Sequence, residues 1–212
     1  MRSPGPGPAR GPGSPSREVK AALRPAGGTA NGVGRGRVYL RQPAASDENE
    51  LVALMRASRR LHHPWVSPPL DRVSFQMFLA RARRPNALAL LVCRAGGGAI
   101  LGVFSLSEIV RGALQGAYLS YYVGAPYARQ GYMTEGMELL LRHAFRNLRL
   151  HRLEANIQPG NLASIALVKR CGFVLEGFSP RYLKICNRWR DHERWALRAE
   201  AWRQGSPRAQ DL

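Results

Sequence analysis

The sequence has few cysteines and no long apolar segment. Its three cysteines, Cys93, Cys171 and Cys186, lie far apart, and no two have the spacing of a zinc-binding pair. An odd number of scattered thiols also excludes a disulfide framework, which favours a reducing cytosol and predicts small buried side chains. No run is apolar and long enough to span a membrane. We expect no signal peptide, because no apolar stretch of about 7–15 residues follows the basic start.

Acidic side chains and lysine are both scarce. The chain has 14 Asp and Glu against 32 Lys and Arg, which gives a formal net charge of +18, and only Lys20, Lys169 and Lys184 are lysines. Five of the net charges fall in residues 1–36 and thirteen in the remainder. The excess favours anionic partners, such as the phosphates of a cofactor or ribosomal RNA. A genome rich in arginine codons would produce the same bias.

Large apolar side chains are sparse in residues 1–36, which contain six prolines and many glycines. Such a segment cannot bury enough surface to offset the entropy lost on ordering. We therefore expect a disordered basic tail over residues 1–36, a folded domain over 37–202, and a flexible C-terminal tail over 203–212.

The most informative stretch joins an apolar run to a helix through a glycine-containing turn. The run is Ala117–Val123, the turn spans Tyr127–Thr134, and the helix that follows has apolar residues at buried-stripe spacing. A turn that leads from a strand into a helix presents free backbone N–H groups and the positive end of the helix dipole, which suits a phosphate. Gly131 allows the backbone to approach such an anion closely. The stripe consists of Met137, Leu140, Leu141, Ala144 and Leu148.

Alternation and turn residues predict the other elements. The expected order is β-α-α-β-β-β-α-β-α-β-β, an α/β (α+β) fold with a mixed sheet and helices on both faces. Ser46 is expected to cap the first helix, and Val73, Met77 and Ala80 to face the core from the second. Strands are predicted at 37–41, 87–94, 99–106, 117–123, 152–157 and 173–177, with a hairpin of 182–186 and 189–197, and a short helix ends at Arg170.

This order of elements resembles the Gcn5-related N-acetyltransferase superfamily, whose members transfer acetyl from acetyl-CoA to an amine. The family's turn usually has the form Arg/Gln-x-x-Gly-x-Gly/Ala. Gly131 matches its first glycine, whereas Ala128 and Met133 occupy the Arg/Gln and second Gly/Ala positions. Over residues 38–202 the chain looks like the RimJ/RimL-type ribosomal-protein alanine N-acetyltransferases, above all RimJ. The motifs that carry this likeness are 107–112, Asn161-x-x-Ser164, Gly172-Phe173, Gly177, Tyr182-Leu183 and Trp189-Arg190-Asp191-His192.

The resemblance implies a mostly antiparallel central sheet, acetyl-CoA as co-substrate and no metal. In the family the strand before the turn diverges from its neighbour, and its free backbone groups meet pantetheine, while the turn meets the pyrophosphate. Asn161 would hold pantetheine, cap the following helix, or do both. The cofactor contacts carried over to this chain are Tyr121, Tyr122, Val123, Arg129, Gln130, Gly131, Tyr132, Met133, Thr134 and Asn161.

The resemblance also suggests catalytic residues. Ser164 would protonate the departing thiolate, where related enzymes have an equivalent serine; alternatively it is a first-turn residue that bonds the backbone. Some relatives carry a Glu and a Tyr where this chain has Asn156 and Val168. Glu154 would then serve as a base through water, with Glu108 as a rival, although either can be a surface ion-pair carboxylate. An N-terminal amine has a pKa near 8, so transfer without a base is also open.

The segment His62-His63-Pro64-Trp65 has two interpretations. Adjacent histidines point differently and no third ligand is near, which disfavours a metal site. It is either a loop that closes over the acceptor, with Trp65 in apolar contact, or a Trp packed at the sheet edge.

The expected acceptor is the N-terminal alanine of a ribosomal protein, attacked directly in a ternary complex in the cytoplasm. One alternative is acetylation of a small-molecule amine, such as an antibiotic or a metabolite. Another is a ribosome- or RNA-binding module without turnover, for which the basic surface is suited. No membrane partner is expected.

Overall fold

The apolar run after Ala87 forms an inner strand that is buried on both faces of a sheet. The computed structural model describes residues 36–205. Within them the strands are β1 Val38–Arg41, β2 Leu88–Arg94, β3 Ile100–Val110, β4 Gly116–Val123, β5 Arg152–Ile157, β6 Val174–Ile185 and β7 Arg188–Arg198. They form one sheet in the order β1-β2-β3-β4-β5-β7-β6. Every neighbouring pair is antiparallel except β4 and β5, which are parallel.

Helices cover both faces of the sheet, which confirms the predicted fold class. The helices are α1 Glu48–Ala57, α2 Arg59–His62, α3 Arg72–Ala82, α4 Tyr132–Arg142, α5 Leu162–Arg170 and α6 Ala199–Gly205. Alternate residues of β2 show the two layers: Leu90 and Val92 join the core beneath α4, whereas Leu91 and Cys93 join the core beneath α1 and α3. No helix of residues 36–205 is long and apolar enough to cross a membrane.

The predicted stripe of α4 is confirmed, because all five of its residues are buried. The helix changes to a π-helical turn at His143–Asn147 before Leu148. The predicted inner face of α3 is wrong. Its buried residues are Phe75 and Leu79, whereas Val73 and Met77 are 67% and 51% exposed and Ala80 is exposed too. Apolar residues occur all round this helix, so their spacing does not select a face.

Three local predictions are corrected. The strands predicted at 173–177 and 182–186 are parts of one long strand, β6, which spans Val174–Ile185 and shifts register against β7 at two places. Ser46 lies in a short 3-10 turn and caps no helix; Asp47 organises this corner by accepting hydrogen bonds from the Ala44 N–H at 2.7 Å and from Arg41. Cys186 is exposed rather than buried. The predicted N-terminal tail, apart from Gly36, and residues 206–212 of the predicted C-terminal tail lie outside the described residues, whereas residues 203–205 belong to α6.

Candidate active site

Strands β4 and β5 pair only at their first three positions. The register joins Gly116 to Arg152 and Tyr118 to Glu154, and pairing then stops. Each strand keeps its outer partner, β4 with β3 up to Val123 and β5 with β7 up to Ile157. The two strands therefore leave a gap between residues 119–123 and 155–157, in which backbone groups need partners. An extended chain with amide groups, such as pantetheine, can supply them.

The turn after β4 is shaped to approach an anion. Gly131 has a φ of 83° and is the N-cap residue of α4, and Arg129 is also left-handed with a φ of 60°. The N–H groups of Thr134 and Glu135 donate to the Gly131 carbonyl at 3.0 and 3.1 Å. The N–H groups just before them, at residues 131–133, begin the helix, where backbone N–H groups have no partner within the helix and can donate to an anion. Gly131 is exposed, so its backbone is open to that ligand.

Two arginines that the sequence did not indicate lie beside this turn. Arg37 Nη2 donates to the Gln130 carbonyl at 2.9 Å, and its Nε donates to Glu135 Oε1 at 2.7 Å. Its guanidinium also lies 4.7 Å from the centre of the Tyr132 ring. Arg94 lies 5.3 Å from the ring centre of Tyr127, and its Nε is buried without a partner among residues 36–205. Arg37 immediately precedes β1 and Arg94 ends β2, and the pairing of Val38 with Arg94 brings the two arginines together.

Tyr121 and Tyr122 point to opposite faces of β4. Tyr121 packs 5.9 Å from Phe104 on the α4 side, and its hydroxyl donates to the Ser164 carbonyl at 3.2 Å. Tyr122 packs with the α1 and α3 core, and its hydroxyl is buried with no partner among the described residues. Burial raises the pKa of both phenols, so each remains a neutral donor at neutral pH.

The start of α5 brings Asn161 and Ser164 to the same gap. Asn161 is the N-cap residue, and its Oδ1 accepts from the Ser164 N–H at 3.2 Å. This cap leaves Asn161 Nδ2 as a donor for a ligand. Ser164 is half-buried and is tied to β4 through Tyr121. The backbone N–H and carbonyl of Ser164 therefore make the contacts in the first turn of α5, and its hydroxyl remains available to donate to a ligand.

Glu154 occupies the last paired position before the strands diverge, on the face opposite α4. Its Oε1 accepts from Arg152 Nε at 2.7 Å, and Arg152 also pairs with Glu176. It is therefore an ion-pair carboxylate at the edge of the gap. Neighbouring Tyr118 has a raised pKa, chiefly because of its hydrogen bond with Tyr182.

Glu108, the rival base, accepts from Asn86 Nδ2 at 3.1 Å. It lies four residues along β3 from Phe104, which pairs with Tyr121, or about 13 Å at ~3.3 Å per residue. Its carboxylate is held by Asn86 in the loop between α3 and β2 rather than at the Tyr121 and Tyr122 positions.

The loop after α2 lies over the gap from the α1 side. His62 Nε2 donates to the Val123 carbonyl at 2.8 Å, and Trp65 lies against Gly160, where a Cβ atom would come within 3.1 Å of its ring. Burial lowers the pKa of His62, so the ring is neutral and its proton is on Nε2. Gln158 Nε2 donates to the carbonyls of Pro64 and Trp65. Within residues 36–205, no three His, Cys, Asp or Glu side chains form a metal-binding group.

Comparison with known proteins identifies the family. Residues 37–174 match the acetyltransferase (GNAT) domain. A probable N-acetyltransferase of Bacillus subtilis, YjcK, is 38% identical over 76% of this chain and 93% of its own length. The ribosomal protein uS5-alanine N-acetyltransferase of Escherichia coli is 38% identical over 50% of this chain, and the match spans 55% of that enzyme.

A solved structure gives the same answer. Mycobacterium smegmatis RimJ in complex with CoA-disulfide superimposes with a TM-score of 0.71 and 28% identity, over 78% of this chain and 83% of that one. The chain belongs to the Gcn5-related N-acetyltransferase family and is an acetyl-CoA-dependent N-acetyltransferase. The resemblance to its RimJ-type branch is confirmed.

Proposed function

We propose that this enzyme acetylates the α-amine of a protein, most of all the N-terminal alanine of a ribosomal protein. The proposal rests chiefly on the 38% identity with the E. coli enzyme named for that reaction and on the similarity to RimJ. The net positive charge favours approach to a ribonucleoprotein particle. We expect the reaction to occur in the cytoplasm, where ribosomal proteins and acetyl-CoA are both present.

The residues on the α4 side would hold the co-substrate. Free N–H groups at 131–133 and the guanidinium of Arg37 suit the pyrophosphate, and the backbone of Tyr121–Val123 suits the pantetheine amides. Asn161 Nδ2 would add a donor to the pantetheine. When bound, acetyl-CoA supplies the acetyl group as a thioester. The gap between β4 and β5 would give that thioester access to the face that carries Glu154 and Tyr122.

Ser164 is our candidate for the general acid. Its hydroxyl lies at the start of α5, next to Tyr121 of the diverging strand, where it can deliver a proton to the leaving sulfur. Glu154 is our candidate for accepting the proton of the amine through a chain of water molecules, because it is level with Tyr118, four residues along β4 from Tyr122. Its ion pair with Arg152 fixes its position, and an amine with a pKa near 8 needs only a weak base.

The experiment that tests this proposal is a turnover assay with acetyl-CoA and panels of N-terminal peptides, in which mass spectrometry detects the acetylated products. Acetylation of alanine-terminated peptides, and of the N-terminus of a purified ribosomal protein, is the expected result. Acetylation of only small-molecule amines would replace the proposed acceptor while keeping the chemistry. Binding to ribosomes at about 200 mM salt without turnover of any amine would support the non-catalytic alternative.

A further inference from the structure

A cavity of about 510 Å³ lies between the sheet and α3, on the face opposite α4. Four small residues at neighbouring register positions form its floor, namely Ala89, Ser105, Ser107 and Ser120. The other face of the same strands carries large buried side chains such as Leu90 and Phe104. Protein interiors are otherwise closely packed, so the small floor residues create the space. Its volume falls in the range of roughly 300–1,000 Å³ that is usual for ligand pockets.

The cavity runs alongside the gap. Tyr122 lines the end farthest from the paired positions of β4 and β5, and Ser107, which pairs with Tyr118 where those strands stop pairing, lines the other end. Arg81 lies toward that second end, because two turns lead from it to Leu88, the partner of Leu106. The distance covers four residue steps along β4, about 13 Å at ~3.3 Å per residue. This length accommodates an extended peptide of about three or four residues, and a free amino acid would fill only part of it.

The lining selects the chemistry of the occupant. Among the described residues that line the cavity there is no Asp or Glu, and Arg81, exposed at the rim, is the one charged side chain. A polyamine would find no carboxylate to balance its charges. The serine hydroxyls and the unpartnered hydroxyl of Tyr122 instead offer donors to peptide carbonyls. Arg81 offers a cation to an acidic side chain.

We propose that this cavity binds the first three or four residues of the acceptor chain, and that Arg81 selects an acidic residue at position three or four. The inference rests on the proposed function and specifies its substrate: a peptide with small neutral first residues followed by an acidic one. The α-amine would lie at the Tyr122 end, next to the thioester.

The charge test uses four alanine-terminated peptide amides. Three of them carry aspartate, asparagine or lysine at the fourth position, and the other carries aspartate only at the eighth. For the full chain, KM is expected to be about three- to fivefold lower with aspartate than with asparagine at the fourth position, and the lysine peptide should be the poorest substrate. Aspartate at the eighth position lies beyond the cavity and should give no advantage over the asparagine peptide.

Variants of the enzyme assign this preference to one side chain. Arg81→Gln should remove the preference for aspartate at the fourth position, and Arg81→Glu should reverse it in favour of the lysine peptide. Arg84→Gln is the matched control, because Arg84 is also exposed but does not line the cavity. An equal loss of preference in Arg84→Gln and Arg81→Gln would show a general charge effect and overturn the assignment to Arg81.

A second pair of variants tests the cavity without charge. Ser105→Leu places a large side chain on the floor and should raise the peptide KM at least about tenfold, whereas Ser105→Ala keeps the space, removes one hydroxyl and should raise it only about two- to threefold. Acetyl-CoA affinity, measured by calorimetry, should be unchanged in both, which also shows that the variants fold.

The possible outcomes separate the two proposals. Suppose that the unmodified enzyme acetylates peptides, but that neither Ser105→Leu nor the charge at the fourth position changes the peptide KM. This result would overturn the cavity assignment, while the proposed function stands. Efficient acetylation of spermidine that Ser105→Leu abolishes would also overturn it. Failure to acetylate any peptide, with acetyl-CoA still bound, would remove the proposed function and this inference together.

Discussion

The two sides of the gap between β4 and β5 differ in the groups that line them, which are mainly backbone groups on one side and side chains on the other. On the α4 side the candidate cofactor site consists mainly of backbone groups from one continuous segment, the end of β4, the turn and the start of α4. On the α3 side the cavity is lined by side chains from α3, β2, β3 and β4, which lie far apart in the sequence. The first side recognises a ligand shared by the whole family. The second side depends on individual side chains, and it is where we propose that the acceptor is selected.

The largest expected effect is a loss of turnover on substitution of Ser164, which lies between the two sides of the gap. Ser164→Ala should lower kcat by about 10²–10⁴, because it removes the proposed proton donor. The helix cap should survive, since Asn161 accepts from the backbone N–H of residue 164 and not from its hydroxyl. The measurement is steady-state turnover, with calorimetry of CoA binding as the control. A rate within twofold of wild type would move the acid role to water or to Tyr182.

The next effect tests the backbone-built side. Gly131→Val should weaken CoA binding at least about tenfold, which is about 1.4 kcal/mol. A Cβ atom there would come within 3.0 Å of Arg37 Nη2, and the φ of 83° is strained for a branched residue. Gly112→Val is the matched control, because Gly112 also has a positive φ, of 71°, but has open space around it and lies in the distant β3–β4 turn. Equal CoA affinity in the two folded variants would argue against the turn as the pyrophosphate site.

A smaller effect distinguishes two roles for Arg37. Arg37→Ala should weaken CoA binding about three- to tenfold, because it removes a cation and leaves the Glu135 carboxylate uncompensated at the helix start where an anion binds. If compensation is the main role, the double variant Arg37→Ala/Glu135→Gln should recover most of the affinity. If the double variant remains as weak as Arg37→Ala, Arg37 contacts the cofactor directly.

The smallest expected effect on peptide turnover follows from removing the N-terminal segment, which belongs to neither side of the gap between β4 and β5. Removal of residues 2–35 should leave peptide turnover within about twofold, because the composition of this segment offers no core to the domain. Turnover on a ribonucleoprotein substrate should fall and lose part of its salt dependence, since five net positive charges are removed. Loss of peptide activity on truncation would show that the domain begins before Arg37.

The sequence predicted the side of the molecule that depends on local patterns. The stripe of α4, the glycine turn and the order of the elements follow from spacing over a few residues, and the structure confirms the stripe and the fold. The α3 side was predicted less well. Met77 was assigned to the core but is 51% exposed and lines the cavity, because the strands beneath α3 carry small residues. Periodicity reports that a residue is apolar and cannot report what lies opposite it.

The sequence alone therefore determined the fold class, the glycine turn before α4 and the family of the enzyme, because each depends on residues that are close along the chain. Only the tertiary structure placed Arg37 and Arg94 beside that turn and aligned Ser105 with Ser120 under α3. These groupings depend on strand register and on the separation between layers, which are fixed by packing across the whole sheet.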